Sequence, residues 1–321
     1  MSKDNKIIVI VGTTASGKTG LAVDLAHKYN GEIISADSRQ VYKYMDIGTG
    51  KDLDEYKIKL KVKDQRSRVV KIPYHLISVV HPNTEFNLAK WHKAANRAIK
   101  DIIKRGKLPI IAGGTGLYAQ ALVDGFDLSP VKPDKELRER LESRTAAQLL
   151  AQLKRLDKKF ADGLHESDQK NKRRLIRYIE IKSSGVKEAE LPIGSSASKT
   201  NYDFLIIGLT WPREIVRERI YKRLLERLNK EKMIEEVQNL RKNYGVSWKR
   251  LESFGLEYKY ISLYLRGQID YDKMVELLNI AIGQFAKRQM TWLKRWERQG
   301  GKIQWVRNIK EADKLVKKFV K

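Results

Sequence analysis

Lys6-Ile7-Ile8-Val9-Ile10-Val11-Gly12-Thr13-Thr14-Ala15-Ser16-Gly17-Lys18-Thr19 decides the fold. A short apolar run, Ile7–Val11, reads as a fully buried strand and breaks into a glycine turn. Residues 12–19 fit G-x-x-x-x-G-K-[ST] in full, and a helical pattern follows over Lys18–Tyr29. Glycines let the backbone wrap closely, so that its N–H groups and the helix N-terminus face an anion. Lys18 adds a mobile positive charge, and the Thr19 hydroxyl is a candidate Mg²⁺ ligand. The motif asks for a diphosphate or triphosphate and does not specify ATP.

Working outward, Glu32–Ser35 predicts a second strand, Tyr74–Val80 a third, Leu88–Arg105 a helix and Leu108–Ala112 a further strand. Such alternation predicts an α/β fold, a P-loop core whose parallel sheet is flanked by helices. The polar stretch Asp52–Lys71 reads as a mobile loop. After Phe126 the pattern changes: Pro130 and Pro133 lead into segments dense in Arg, Lys, Glu and Leu, closed by the Gly/Ser-rich Ile193–Lys199. We expect residues 1–126 to form the first part of the core and 127–200 an inserted all-helical lobe. Residues 201–321 then complete the core, with a strand at Asp203–Leu209, a helix at Pro212–Asn229 begun by Pro212 in its first turn, a strand near Ile303–Val306 and a terminal helix.

The chain has 321 residues with 65 Lys+Arg against 39 Asp+Glu, a formal net charge of +26 spread along its length. A field of that sign attracts polyanions, unless it serves only solubility. The absence of cysteine excludes disulfides, thiolate metal sites and cysteine nucleophiles. No apolar run approaches the length of a membrane span, and the N-terminus lacks the longer apolar region of a signal peptide. A soluble cytoplasmic protein with no membrane partner is expected.

Further motifs cluster at the carboxyl ends of the predicted strands, where open α/β sheets hold their ligands. Asp37-Ser38-Arg39-Gln40 follows the second strand; Asp37 could hold Mg²⁺, act as a general base, or cap a turn. Gly113-Gly114-Thr115-Gly116 is either a tight turn or a substrate contact. The strand before it ends in alanine, so no Walker-B acid is evident. Arg213, Arg217, Arg219, Arg223 and Arg227 recur at helical spacing. Lys287-Arg288-Gln289-Met290-Thr291-Trp292-Leu293-Lys294-Arg295-Trp296 interleaves cations with tryptophans, as suits RNA, although tryptophans on such a helix equally fit a core.

Taken in order, GTTASGKT at 12–19, DSRQVYKYMDIGTG at 37–50, GGTGLY at 113–118, NKRRLIRYIE at 171–180, SFGLEY at 253–258 and AKRQMTWLKRW at 286–296 resemble the tRNA dimethylallyltransferase (isopentenyltransferase) family over nearly the whole chain. The resemblance implies transfer of a dimethylallyl group from dimethylallyl diphosphate to N6 of the adenosine 3′ of the anticodon in tRNA, releasing diphosphate. It implies that Gly12–Thr19 hold the diphosphate, and that Lys18, Thr19 with Mg²⁺, and Arg223 neutralise it on departure. Asp37 would take the N6 proton. Contacts to tRNA would come from Asp37, Ser38, Arg39, Gln40, Thr115, Arg138, Arg173, Arg174, Leu175, Ile176 and Arg177. The rest would come from Ser253, Phe254, Gly255, Leu256, Glu257, Lys287, Arg288, Gln289, Met290, Thr291, Trp292, Leu293 and Lys294. A monomer is expected.

Three places depart from the family pattern. Ser78 stands where HLID is usual, Gly283 replaces an arginine before the KRQ run, and Gly48-Thr49-Gly50-Lys51-Asp52 stands for GT-A-K-P. Competing readings are a small-molecule P-loop kinase using ATP, an adenylate isopentenyltransferase and a non-enzymatic RNA-binding module. The extended basic surface disfavours the second, and the complete P-loop with Asp37 disfavours the third.

Overall fold

The structure is a computed structural model that describes residues 5–61, 67–126, 131–184 and 201–321. The elements in chain order are β1 (Lys6–Gly12), α1 (Lys18–Lys28), β2 (Gly31–Ser35), β3 (Lys57–Lys61), β4 (Ser67–Lys71), β5 (Tyr74–His75), α2 (Leu88–Lys104), β6 (Leu108–Gly113) and α3 (Gly116–Val123). There follow α4 (Lys135–Glu142), α5 (Ala146–Leu156), α6 (Lys158–Asp162), α7 (Glu166–Gln169) and α8 (Lys172–Ser183). The chain continues with β7 (Asp203–Leu209), α9 (Arg213–Asn229), α10 (Met233–Lys242), α11 (Trp248–Ser253), α12 (Leu256–Leu265), α13 (Tyr271–Arg298), β8 (Ile303–Val306) and α14 (Ile309–Val320).

Six strands form one parallel sheet in the order β5-β2-β6-β1-β7-β8. β1 is central and covered on both faces, which is why its sequence is an unbroken apolar run. Ile7, Val9 and Val11 join one core cluster with Trp91, Tyr118 and Leu293. Ile8 and Ile10 join the other, with Leu25, Val306 and Val316. Neighbouring residues of the strand thus serve opposite layers, as the period of two requires.

Two helices carry the site into place. In α2 the Asn87 side chain caps by accepting from Lys90 N at 3.0 Å, and Trp91, Ala95, Ile99 and Ile102 make the buried stripe. Trp91 Nε1 donates to Ser35 O at 2.8 Å, which fixes the end of β2 just ahead of Asp37. In α13, capped by Asp270 on Lys273 N at 2.7 Å, buried residues recur as Met274, Leu278, Ile282, Ala286, Gln289, Leu293 and Trp296. Gln289 is the polar member of that stripe.

The chain divides into two compact units, residues 1–123 with 200–321, and residues 124–199. In the second unit α4 to α8 close over Leu141, Leu149, Leu153, Leu175, Ile176 and Ile179. Within it Glu180, its side chain 1% exposed, accepts from Asp134 N at 2.6 Å and pairs with Arg138 and Arg177. The Gly/Ser-rich Ile193–Lys199 and Pro130 lie outside the described residues. Among the described residues no helix is long and apolar enough to cross a membrane.

Three expectations are corrected. Asp52–Lys71 is not a loop throughout: Leu53–Tyr56 is a 3-10 turn, and β3 pairs with β4 as an antiparallel hairpin. The third strand stops at His75, because Leu76 (φ 61) and Ser78 (φ 54) take left-handed backbone that cannot continue a strand. Pro212 sits at the N-cap of α9 rather than inside its first turn.

Candidate active site

The loop between β1 and α1 turns through Ala15 (φ 57) and Gly17 (φ 87). The Lys18 ammonium donates to Thr13 O at 3.0 Å, and Lys18 lines the cleft. Burial pulls its pKa down to about 8; Asp37 opposes the fall, Arg223 adds to it and Glu55 opposes it. The buried Ser16 hydroxyl has no hydrogen-bond partner. Behind the loop, Trp211 Nε1 donates to Ser16 O at 2.9 Å, and the Arg219 guanidinium lies 4.1 Å over the Trp211 ring. Trp211 therefore supports the loop from outside, a role the sequence motif does not display.

Asp37 follows β2, and its Oδ1 accepts from Arg39 N at 2.9 Å, closing a tight turn. The Thr115 hydroxyl accepts from Ser38 N at 3.0 Å. Gln40 accepts from the Ser35 hydroxyl at 2.8 Å and donates to Gly50 O at 3.0 Å. Gln289 ties the β1–α1 and β6–α3 loops together: its Oε1 accepts from Thr14 N at 2.7 Å and its Nε2 donates to Gly114 O at 2.8 Å. A Cβ on Gly114 would meet Gln289 Nε2 at 2.5 Å, and one on Gly116 would meet Trp292 Cδ1 at 2.5 Å. Those glycines of the GGTG turn are explained by the close approach of α13.

The cations come from α9 and the β2 side. Arg223 and Arg227 line the cleft, and burial followed by their mutual repulsion lowers the Arg223 pKa to about 10. Arg39 pairs with Glu257 at 3.0 Å and lies 5.7 Å from the Phe285 ring. Burial works against its charge, but Glu257 and Asp37 outweigh that and raise its pKa.

Segment 46–51 is clamped. Glu236 accepts from the backbone N–H groups of Asp46, Ile47 and Gly48 at 2.6, 2.7 and 3.0 Å, and from Tyr258 Oη at 2.8 Å. The fully buried Lys51 ammonium donates to Tyr42 O, Asp46 Oδ1 and the Ser78 hydroxyl at 2.6, 2.6 and 2.7 Å. Ser78, one of the departures from the family pattern, thus still supplies this lysine with an acceptor. Gly283 faces open space.

Two cavities meet at Asp37. One is a narrow polar cleft of about 60 Å³ lined by Lys18, Thr19, Arg223 and Arg227. The other is an open groove of about 620 Å³ lined by Ser38, Thr115, Phe254, Arg288 and Trp292. Asp37 lines both, as do Arg39, Gly114, Phe285 and Gln289.

The sequence profile of the IPP transferase family matches residues 40–296, and that of the isopentenyl transferase family residues 5–63. This chain belongs to the tRNA dimethylallyltransferase family. It is 44% identical over 308 residues to tRNA dimethylallyltransferase 2 of Treponema denticola, covering 95% of this chain and 97% of that protein. It is 42% identical over 301 residues to tRNA dimethylallyltransferase 1 of Syntrophus aciditrophicus, covering 94% and 93%. The crystal structure of a eukaryotic dimethylallyltransferase acting on tRNA matches with a TM-score of 0.75 at 27% identity, over 94% of this chain and 74% of that one. The tRNA isopentenylpyrophosphate transferase of Bacillus halodurans matches with a TM-score of 0.65 at 30% identity, over 98% and 97%.

Set against the family's contact pattern, the expected tRNA residues fall into three groups. Lys287, Arg288, Thr291 and Lys294 are exposed on α13, Ser253 is exposed beside the groove, and Arg173 is exposed on α8. Trp292 is half-buried at the groove, its indole N–H without an acceptor, and Phe254, Gly255, Leu256 and Met290 are half-buried. Others are spent inside the protein. Leu175, Ile176 and Leu293 pack in cores and are withdrawn as side-chain contacts. Arg138 and Arg177 pair with Glu180, Arg174 with Asp168, and Glu257 with Arg39. Gln289, Gln40 and Thr115 hold loops. Trp296 is a core residue, which settles the two tryptophans differently.

Proposed function

We propose that this protein transfers a dimethylallyl group from dimethylallyl diphosphate to N6 of the adenosine 3′ of the anticodon in tRNA. The observation that carries this reading is the position of Asp37, shared by a cationic cleft and an open groove. The cleft takes the diphosphate of the donor against Lys18, Arg223, Arg227 and the loop of residues 12–19, whose Thr14 amide is held by Gln289. The groove takes the flipped adenine, whose removal from the stack exposes its exocyclic amine. The N6 lone pair forms the new bond to C1 of the prenyl group as the C1–O bond breaks and its electrons pass to diphosphate. The N6 proton goes to the Asp37 carboxylate, and the prearranged cations stabilise charge building on the leaving group.

Mg²⁺ fits the donor set. Thr19 and Asp37, a hydroxyl and a carboxylate that are both oxygen donors, line the same cleft. That suits a cation bound by one or two side chains, diphosphate oxygens and water, supplying charge neutralisation. Thr19 would hold it. Exposed Lys287, Arg288, Lys294 and Arg173 contact the tRNA backbone, and Trp292 contacts a base.

Incubation with dimethylallyl diphosphate, Mg²⁺ and unmodified tRNA, followed by nucleoside mass spectrometry, should yield N6-isopentenyladenosine. ATP-dependent phosphoryl transfer with indifference to the prenyl donor would instead establish a kinase.

A further inference from the structure

Asp52 closes the segment where this chain departs from the family pattern, and its side chain is not used locally. It stands at the N-cap of the Leu53–Tyr56 turn with φ 44, yet makes no capping bond. Instead its Oδ2 accepts from Arg223 Nη2, and its Oδ1 accepts from Arg227 Nη2 at 3.1 Å. Those guanidinium groups line the cleft that holds Lys18. Arg227 has a side chain only 9% exposed, and its buried Nε has no acceptor. The buried Arg227 and the half-buried Arg223 repel each other; Glu231 and Glu257 offset that charge from a distance, and the hydrogen bonds to Asp52 still leave Arg227 Nε without an acceptor. A diphosphate brings more negative charge and more oxygens in a geometry that guanidinium forks accept.

Resting on the diphosphate reading of the cleft, we propose that Asp52 is an internal counter-anion exchanged for diphosphate. In the empty protein it keeps Arg223 and Arg227 in register. Diphosphate displaces it, and when the product leaves, the carboxylate recaptures the pair. The displaced side chain has room, because Asp52 and Arg223 also border an open cavity of about 860 Å³. Besides Asp52 that cavity is lined by five carboxylates, Asp46, Asp54, Glu55, Glu226 and Glu231, against the three cations Arg219, Lys222 and Arg223, so its net like charge favours return of the carboxylate to the Arg223–Arg227 pair. Asp52 is therefore a positioning residue that weakens retention of released diphosphate.

Calorimetric titration of inorganic pyrophosphate with Mg²⁺ tests this on the full chain. Asp52→Asn keeps the shape and tolerates left-handed backbone; Asp52→Gly suits that φ and removes the carboxylate. Both should bind pyrophosphate about tenfold tighter than wild type, the scale of losing one partly exposed charged competitor. The Michaelis constant for the prenyl donor should fall in parallel while that for tRNA stays put, and Asp52→Glu should restore wild-type values. A purely structural role could weaken binding but not tighten it. Unchanged or weaker pyrophosphate binding in both variants, with wild type binding normally, overturns the exchange. Failure of wild type to bind pyrophosphate overturns it together with the prenyl-transfer reading.

Discussion

Lys18 should lose its proton in the range where enzymes are assayed. Burial brings its pKa from 10.5 to about 8 before any donor is bound. The free protein then has Lys18 about nine-tenths charged at pH 7 and about one-tenth charged at pH 9, as a single proton demands. A bound diphosphate favours the ammonium and raises that pKa, so the effect belongs to kcat/KM for the donor, which reports free enzyme. We expect kcat/KM to hold level from about pH 7 and to fall about tenfold per unit above about pH 8. The value of kcat at saturating donor should stay level further into the alkaline range.

Lys18→Arg supplies the control, since guanidinium keeps its proton throughout. Its activity will be lower, because a fork cannot replace a point charge in the loop. Its profile, however, should lose the break near 8. The same shift bears on stability with a defined sign. Between about 8 and 10.5 the unfolded chain binds more protons at this residue than the folded one. The penalty of burying Lys18 is thus fully present below about pH 8 and fades as pH rises toward 10.5. A wild-type kcat/KM profile that stays level past pH 10, or an identical break in Lys18→Arg, would refute the reasoning.

Asp37→Asn keeps an acceptor for Arg39 N, so the turn survives; turnover should nevertheless drop by about a hundredfold or more, with donor binding by calorimetry retained. Gln289→Ala removes both bonds that tie Thr14 to Gly114 and should cost about 1–3 kcal/mol in donor binding, seen as a raised Michaelis constant for dimethylallyl diphosphate. Changing Lys287, Arg288 and Lys294 together to Ala should raise the Michaelis constant for tRNA and flatten its salt dependence, measured between low and moderate salt, while the donor constant stays put.

Much of the α/β core was legible because its strands are apolar runs beside glycine turns. Ile7–Val11 and Leu108–Ala112 could hardly be anything else, and the loop motif fixed one end of the sheet. The β3–β4 hairpin was missed although Lys57-Ile58-Lys59-Leu60-Lys61 alternates with period two; the charge of the surrounding stretch outweighed that signal. Overreach at Tyr74–Val80 has the opposite cause, since β-favouring residues there run through two left-handed backbone positions. Gln289, Glu236 and Asp52 were opaque as loop-holding or charge-pairing residues. The loop partners of Gln289 lie 175 and 275 residues away, those of Glu236 lie 188 to 190, and the arginines of Asp52 lie 171 and 175, so only the folded chain displays the pairing.

The same separation bears on the proposal that one helix serves two substrates. On α13, Ala286, Gln289, Leu293 and Trp296 face inward, while Lys287, Arg288, Thr291 and Lys294 face solvent. Spacing of three and four puts the inward set on one stripe, so a helix cannot turn its basic face without also moving Gln289. Gln289 in turn holds the Thr14 amide and the Gly114 carbonyl, and both residues line the cleft with Lys18 and Asp37. In the proposed arrangement, a force applied by RNA to the outer face would reach the loop of residues 12–19 through a buried amide rather than through solvent. If that coupling operates, bound tRNA should tighten donor binding, and Gln289→Ala should abolish the gain while the exposed lysines still hold RNA. Donor titrations with and without tRNA, in wild type and Gln289→Ala, measure it directly. Equal gains in both proteins would mean that α13 carries the two surfaces side by side and transmits nothing between them.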